Sequence, residues 1–198
     1  MYEVELKVPA AHETVRGRLE TMGLSRETYV EQTDTYYDAP HREFAETDEA
    51  LRTRRVRRLD SDGGNGTTNA ANTSDSSGEN GVTLTYKGPL VDDTSKTRVE
   101  RETVVGDGEE LTEILSALGF EPAATVEKRR EFFTVDGYTV TLDDVAGLGE
   151  FVEVEREATE ADVEEVREGA IDVLESIGLN PEDGIRTSYL ELLLERNT

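Results

Sequence analysis

The stretch Tyr2-Glu3-Val4-Glu5-Leu6-Lys7-Val8 alternates strictly between charged and apolar side chains after its opening tyrosine. Side chains of a β-strand point to opposite faces in turn, so Glu3, Glu5 and Lys7 share one face while Tyr2, Val4, Leu6 and Val8 share the other. One such strand is compatible with a half-solvated sheet whose polar face meets water. The constraint comes from repetition. Residues 51–59 carry Arg52, Arg54, Arg55, Arg57 and Arg58, and residues 82–89 alternate with Lys87 on the threonine face. Residues 97–105 set Arg98, Glu100 and Glu102 on one face, and residues 125–135 set Lys128 and Arg130 on one side. Residues 151–155 repeat the opening spacing with Glu153 and Glu155.

Between these strands lie helix and turn signals. Pro9 is expected to open a helix with Val15, Leu19 and Met22 on one stripe, and further helices are expected over 109–118 and 160–177. Three helices end alike, at Leu19-Glu-Thr-Met22-Gly23-Leu24, Leu115-Ser-Ala-Leu118-Gly119-Phe120 and Leu174-Glu-Ser-Ile177-Gly178-Leu179. Each reads as a glycine in the left-handed region with an apolar residue behind it, pinning the exit of the chain to the helix. The first two of these helices sit between charged strands, which points to a sheet of two related halves. Residues 29–38 read as a strand with Gln32, Asp34, Tyr36 and Asp38 on one face, and Asp136-Gly137 reads as a two-residue hairpin turn. Residues 60–81 hold Gly, Asn, Ser, Thr and Asp with almost no apolar side chain. They read as a flexible hairpin insertion within a single domain spanning 1–198, because strand patterns resume on both sides.

With 45 acidic and 21 basic residues the formal charge is −24. That balance argues against a nucleic-acid surface, which needs basic patches. It suggests a halophilic protein from a high-salt cytoplasm, where screening relieves self-repulsion. Cysteine is absent, which excludes disulfides, thiolate zinc sites and a cysteine nucleophile. The first residues lack the pattern of a secretion signal, and no run of about 18 apolar residues occurs, so a cytoplasmic protein with no membrane association is expected.

About eight strands, mostly joined by hairpins and each with one apolar and one charged face, can close into an inside-out barrel. The expected fold is α+β: an eight-stranded antiparallel tunnel with a charged lumen and helices packed on its outside. Charges of both signs in a lumen cost several kcal/mol per ion unless paired, so an occupant is expected. Basic groups suit a polyanion, and carboxylates suit hard divalent cations that bridge to it.

Glu3-x-Glu5-x-Lys7 resembles the signature that opens CYTH domains, the triphosphate tunnel metalloenzymes. Further motifs follow in the family's order: Leu118 to Arg130, Leu142-Asp143, Gly147-Leu-Gly149-x-Phe151-x-Glu153 and Arg186-x-Ser188-Tyr189. These resemble the class IV adenylyl cyclase branch in particular. The resemblance implies an enzyme acting on triphosphates with Mg²⁺ or Mn²⁺. It implies Glu3, Glu5 and Glu153 as metal ligands, with Glu155 assisting. Lys7, Arg52, Lys87, Lys128 and Arg130 would hold the triphosphate, joined by Arg54 and Arg98 on the same faces. Asp143 would orient metal water or the attacking group, and Lys7, Lys128 and Arg130 would be catalytic beside it through the triphosphate oxygens they hold.

Three functions share these residues: a cyclase making 3′,5′-cyclic AMP and pyrophosphate from ATP, a triphosphatase for inorganic, thiamine or nucleoside triphosphates, and a non-enzymatic polyphosphate- or nucleotide-binding module. A homodimer is compatible with any of them. His12 and His41 read as surface residues, Glu164, Glu165 and Glu168 as solvated charge, and Ser188 and Tyr189 as the docking point of a C-terminal helix. If the acidic surface is an adaptation to salt, the thermal unfolding temperature rises with KCl; unchanged stability from low to molar KCl would contradict it.

Overall fold

A computed structural model describes residues 2–59, 81–90 and 98–196, in which eight antiparallel strands close into a barrel. The strands are β1 (Tyr2–Pro9), β2 (Thr28–Asp38), β3 (Ala50–Arg58), β4 (Val82–Leu90), β5 (Arg98–Val105), β6 (Glu121–Val135), β7 (Tyr138–Val145) and β8 (Gly149–Ala158). Helices α1 (His12–Thr21), α2 (Gly108–Ala117), α3 (Val163–Ser176) and α4 (Tyr189–Arg196) pack outside. The expected α+β tunnel is the fold. Nearly all of the 60–81 insertion lies outside the described residues.

Round the barrel the order is β1-β5-β4-β3-β2-β6-β7-β8. The chain thus runs twice through the same unit, a strand, a helix and three strands. The first strand of each unit pairs with the last strand of the other: β1 with β8, and β5 with β4. The two units also meet where β2 pairs with β6 and β1 with β5. Neither half closes alone.

The outer face of the sheet carries the core. Val4, Val8, Val140, Leu142, Val152 and Val154 are buried against Val15 and Leu19 of α1 and Val166, Ala170 and Leu174 of α3. On the other half, Tyr37 and Val82 meet Leu111 and Leu115 of α2. Each such side chain contributes roughly 1.5–3 kcal/mol when fully buried, which is what offsets the cost of facing the sheet's other side with charge. Gly169 lets α3 approach β7 closely: a Cβ there would stand 2.1 Å from the Tyr138 hydroxyl, which donates to Val166 O at 3.0 Å.

All three expected glycine endings are present. Gly23, Gly119 and Gly178 have φ of 78°, 87° and 81°, and the next residue's N–H returns to Leu19, Leu115 and Leu174 respectively. Asp136 and Gly137, at φ 50° and 81°, form the hairpin turn between β6 and β7. Pro9 is a correction, because it ends β1 opposite Phe151 and α1 starts only at His12. A proline needs no partner for a missing N–H at a strand end, so the pairing with β8 prevails over a helix start. β6 also begins earlier than its alternation suggests, at Glu121, because a register shift at Tyr36/Tyr37 lets β2 continue pairing with it.

Candidate active site: a charged tunnel

The lumen is a cavity of about 1030 Å³. Basic side chains line it alongside acidic ones, so a strongly acidic protein reserves an interior with charges of both signs. Glu3, Glu5, Lys7, Arg52, Arg54, Lys87, Arg98, Lys128, Arg130, Glu153 and Glu155 all reach this surface. Alternation places them there, since the apolar residues between them face the helices.

Glu3, Glu5 and Glu155 form the acidic pole. Glu5 stands directly opposite Glu155, and one carboxylate oxygen from each of the three lies within 4.8 Å of the others. Burial, then the Glu3 carboxylate, pushes Glu155 up to about 8. Burial also raises Glu3, although Lys87 pulls the other way. Like charges crowded into a poorly solvated site need a counter-charge, and three hard oxygen donors fit Mg²⁺ or Mn²⁺. Glu153, also expected among the ligands, stands apart from this trio and forms ion pairs with Arg130 and, at 3.5 Å, with Lys7.

The basic pole is organised by two aspartates that do not themselves line the cavity. Asp34, 1% exposed, accepts from Arg54 Nε and Nη2 at 2.6 Å each and from Arg52 Nη1 at 3.3 Å. Arg54 and Arg52 hold it far below the usual carboxylate range against the upward push of burial. Asp143, fully buried, accepts from Arg130 Nε at 2.6 Å and from Arg130 Nη2, lies 3.6 Å from Lys128, and accepts from the Tyr189 hydroxyl at 3.1 Å. In β2/β3 the aspartate is on the first strand and the arginine on the second; in β6/β7 the roles are exchanged. The structure therefore sets Asp143 behind Arg130 and Lys128, where the resemblance implies a residue that orients metal water or the attacking group.

Lys128 lacks a full counter-charge. Burial, with Arg130 and Arg54 nearby, depresses it to about 8 despite Asp143 and Glu153. Lys7 is raised, because Glu5, Glu153 and Asp143 together outweigh its burial. Lys87 ion-pairs with Glu100 and lies 3.7 Å from Glu3. Arg98 donates to the Asp48 carbonyl at 2.6 Å and to its carboxylate at 3.2 Å. Arg52 Nε and Gln32 Oε1 are buried without a hydrogen-bond partner.

Two residues that shape the site are not assigned to it by the sequence. Asp34 was legible only as a tunnel-side position of β2; its pairing with Arg54 depends on register. Tyr189 docks α4 onto Phe151 with ring centroids 5.1 Å apart, as expected, and also enters the lumen, where Lys7 Nζ lies 4.2 Å and Lys128 Nζ 5.1 Å from its ring centroid. Its hydroxyl stays protonated because burial and the Asp143 charge raise it well above the ordinary value. His12 is a correction, being buried rather than on the surface. Its Nε2 lies 3.0 Å from Phe151 O and its backbone N–H donates to Glu150 Oε2 at 3.1 Å, tying α1 to β8. His41 is exposed, edge-on to Phe120.

Glu155 gives a pH signature in the metal-free protein. A carboxyl raised from 4.5 to about 8 binds a proton more tightly folded than unfolded, so its contribution is fully present below pH 4.5 and is lost as pH rises through 8. Lys128, being depressed, acts in the opposite sense but only between about 8 and 10.5. Urea unfolding in chelator from pH 5 to 8 is expected to show a decline in stability that Glu155→Gln flattens; parallel curves would contradict the assignment.

A profile of the CYTH domain matches residues 1–189. Over 194 residues the chain is 34% identical to a Methanocaldococcus jannaschii protein described as "Putative adenylate cyclase", covering 97% of this chain and 98% of that one. It is similar to the solved structure of the PH1819 protein from Pyrococcus horikoshii OT3, with 36% identity, a TM-score of 0.81 and coverage of 98% and 99%. The fold is shared with a Hippeastrum protein described as a "Putative adenylyl cyclase" with a dominant triphosphatase activity, at 16% identity, a TM-score of 0.58 and coverage of 99% and 95%. A profile reaching to within nine residues of the end, on a tunnel with both acidic and basic poles, makes this chain a member of the CYTH family, whose enzymes bind triphosphates and depend on metals.

Proposed function

We propose that the tunnel converts ATP to 3′,5′-cyclic AMP and pyrophosphate. The observation that carries this reading is the meeting, in one lumen, of three clustered carboxylates with a set of cations held in place by buried acids. The order of motifs from Lys128 to Tyr189 and the similarity to the Methanocaldococcus jannaschii protein favour the cyclase.

In this reading Glu3, Glu5 and Glu155 hold Mg²⁺ or Mn²⁺, with Glu153 anchoring Lys7 and Arg130 beside them. The bound ion supplies charge neutralisation on the phosphate oxygens. Lys7, Arg52, Arg54, Lys87, Arg98, Lys128 and Arg130 grip the triphosphate, and the arginines present planar forks already oriented by aspartate. The ribose 3′-hydroxyl attacks the α-phosphorus, the bond from that phosphorus to the α–β bridging oxygen breaks, and the hydroxyl proton ends on pyrophosphate or solvent. Asp143 acts by positioning: it keeps Arg130 and Lys128 pointing at the leaving phosphates, where negative charge develops.

A triphosphatase reading remains, because directing water at the terminal phosphorus uses the same groups and because the Hippeastrum protein of this fold is described with that activity. Incubation with Mg²⁺ or Mn²⁺ and either ATP or tripolyphosphate at high salt separates the outcomes. Cyclic AMP with pyrophosphate is the expected product; orthophosphate selects the triphosphatase, and no turnover selects a binding module. Glu5→Gln is expected to lower turnover by at least on the order of a hundredfold, as when one electrostatic stabiliser is removed, with an unchanged far-ultraviolet spectrum. A fully active variant would refute the metal site.

A further inference from the structure

Aspartates pair with the cations of the tunnel from two different sides. Asp34 and Asp143 are 1% and 0% exposed, lie outside the cavity lining, and hold Arg54 and Arg130 from behind. Asp48 belongs to the lining itself, and its side chain is 31% exposed. It takes hold of Arg98, another lining residue, whose side chain is only 6% exposed. Arg98 Nη1 donates to the Asp48 carbonyl at 2.6 Å and Nη2 to its Oδ2 at 3.2 Å, so both ends of the fork meet one residue.

The loop joining β2 to β3 is built to deliver this contact. Asp48 ends a 3₁₀ turn, Phe44–Thr47, and lies in the left-handed region at φ 53°, which aspartate and asparagine adopt more readily than most residues with a side chain. Its neighbour Glu49 is held independently, by Arg42 at 3.2 Å, by the Thr47 hydroxyl at 2.6 Å and by the Tyr86 hydroxyl. The Glu49 N–H also closes the turn onto Phe44 O at 3.0 Å. The loop is thus anchored beside Asp48 without help from Arg98. The carboxylate can leave the guanidinium by side-chain rotation while the loop stays in place.

A carboxylate behind a guanidinium and one in front of it act oppositely on an arriving anion. From behind, the acid directs the fork and leaves its outer N–H groups to the ligand; from the cavity side, it fills the seat that a phosphate oxygen needs. We infer that Asp48 is an internal anion in the phosphate seat of Arg98, displaced when a polyphosphate enters and returning when it leaves. The inference rests on the tunnel being a triphosphate site and adds a specificity-determining residue to it. A phosphate group carrying about two negative charges outcompetes the single charge of the carboxylate, whereas a monoanion such as chloride does not.

Calorimetric titration of the full chain with tripolyphosphate in Ca²⁺ reads the sign of the effect. Asp48→Asn keeps the shape and the backbone preference and removes the charge, at a partly exposed position that does not endanger folding. It is expected to bind tripolyphosphate about fivefold more tightly than wild type, on the scale of one partly exposed ion pair. In an Arg98→Gln background the same substitution is expected to change the affinity by less than about twofold, because the seat is already gone. Unchanged or weakened binding by Asp48→Asn would overturn the inference and make Asp48 an orienting acid like Asp34 and Asp143. A gain of the same size in the Arg98→Gln background would also overturn it, since the effect would then be the general removal of a negative charge. If neither wild type nor Asp48→Asn binds tripolyphosphate, the triphosphate reading itself fails, and the internal anion with it.

Discussion

Charge enclosed by a sheet must be paired, and in this barrel two buried aspartates fix the cations of the basic pole. Asp34 fixes Arg52 and Arg54, and Asp143 fixes Arg130 and Lys128. Removing one member of such a buried set typically costs about 3–5 kcal/mol, because the remaining charge is stranded. The arginine forks thus gain a defined direction before any ligand arrives. A phosphate group entering the lumen meets donors whose ordering entropy was already lost on folding.

The separation of poles follows from the same topology. β1 lies between β8 and β5, so Glu3 and Glu5 gather Glu155 from β8, while Glu3 meets Glu100 of β5 and lies 3.7 Å from Lys87 of β4, one strand further round. β2 lies between β3 and β6, so its Asp34 draws in the arginines of β3 while Gln32 and Val30 stand opposite Lys128 and Arg130. Carboxylates in excess at one pole and partly uncompensated cations at the other form a gradient that neither a bare anion nor a bare cation satisfies. A metal-bound triphosphate satisfies both ends. The outer apolar face and its helices make this possible, since their burial holds together a sheet whose inner face contributes little on its own.

Alternation in the sequence made the sidedness of the tunnel legible. Glu3, Glu5, Lys7, Arg52, Arg54, Lys87, Arg98, Lys128, Arg130, Glu153 and Glu155 all reach the lumen because parity along a strand is a local property. Depth and partnership are not local. Glu153 and Glu155 have the same parity, yet one pairs with cations while the other joins the acidic trio, because the residues opposite them on β1 differ, Lys7 facing Glu153 and Glu5 facing Glu155. Asp143 lies behind Arg130 because the direct β6/β7 pairing lays the guanidinium over it. Tyr189 enters from a helix far along the chain, and nothing in its immediate neighbours signals that its ring ends between Lys7 and Lys128. The burial of His12 is non-local in the same way: the start of a short helix is covered only because Glu150 and Phe151 of β8 meet it.

The chemistry of the tunnel turns on where a divalent ion binds. Anomalous diffraction from crystals grown with Mn²⁺ and a non-cyclisable ATP analogue locates it directly. A manganese peak ligated by Glu3, Glu5 and Glu155, with the triphosphate reaching Lys7, Arg52, Lys128 and Arg130, is the predicted result. A peak ligated by Glu153 or Asp143 in place of that trio, or no peak at saturating Mn²⁺, would contradict it.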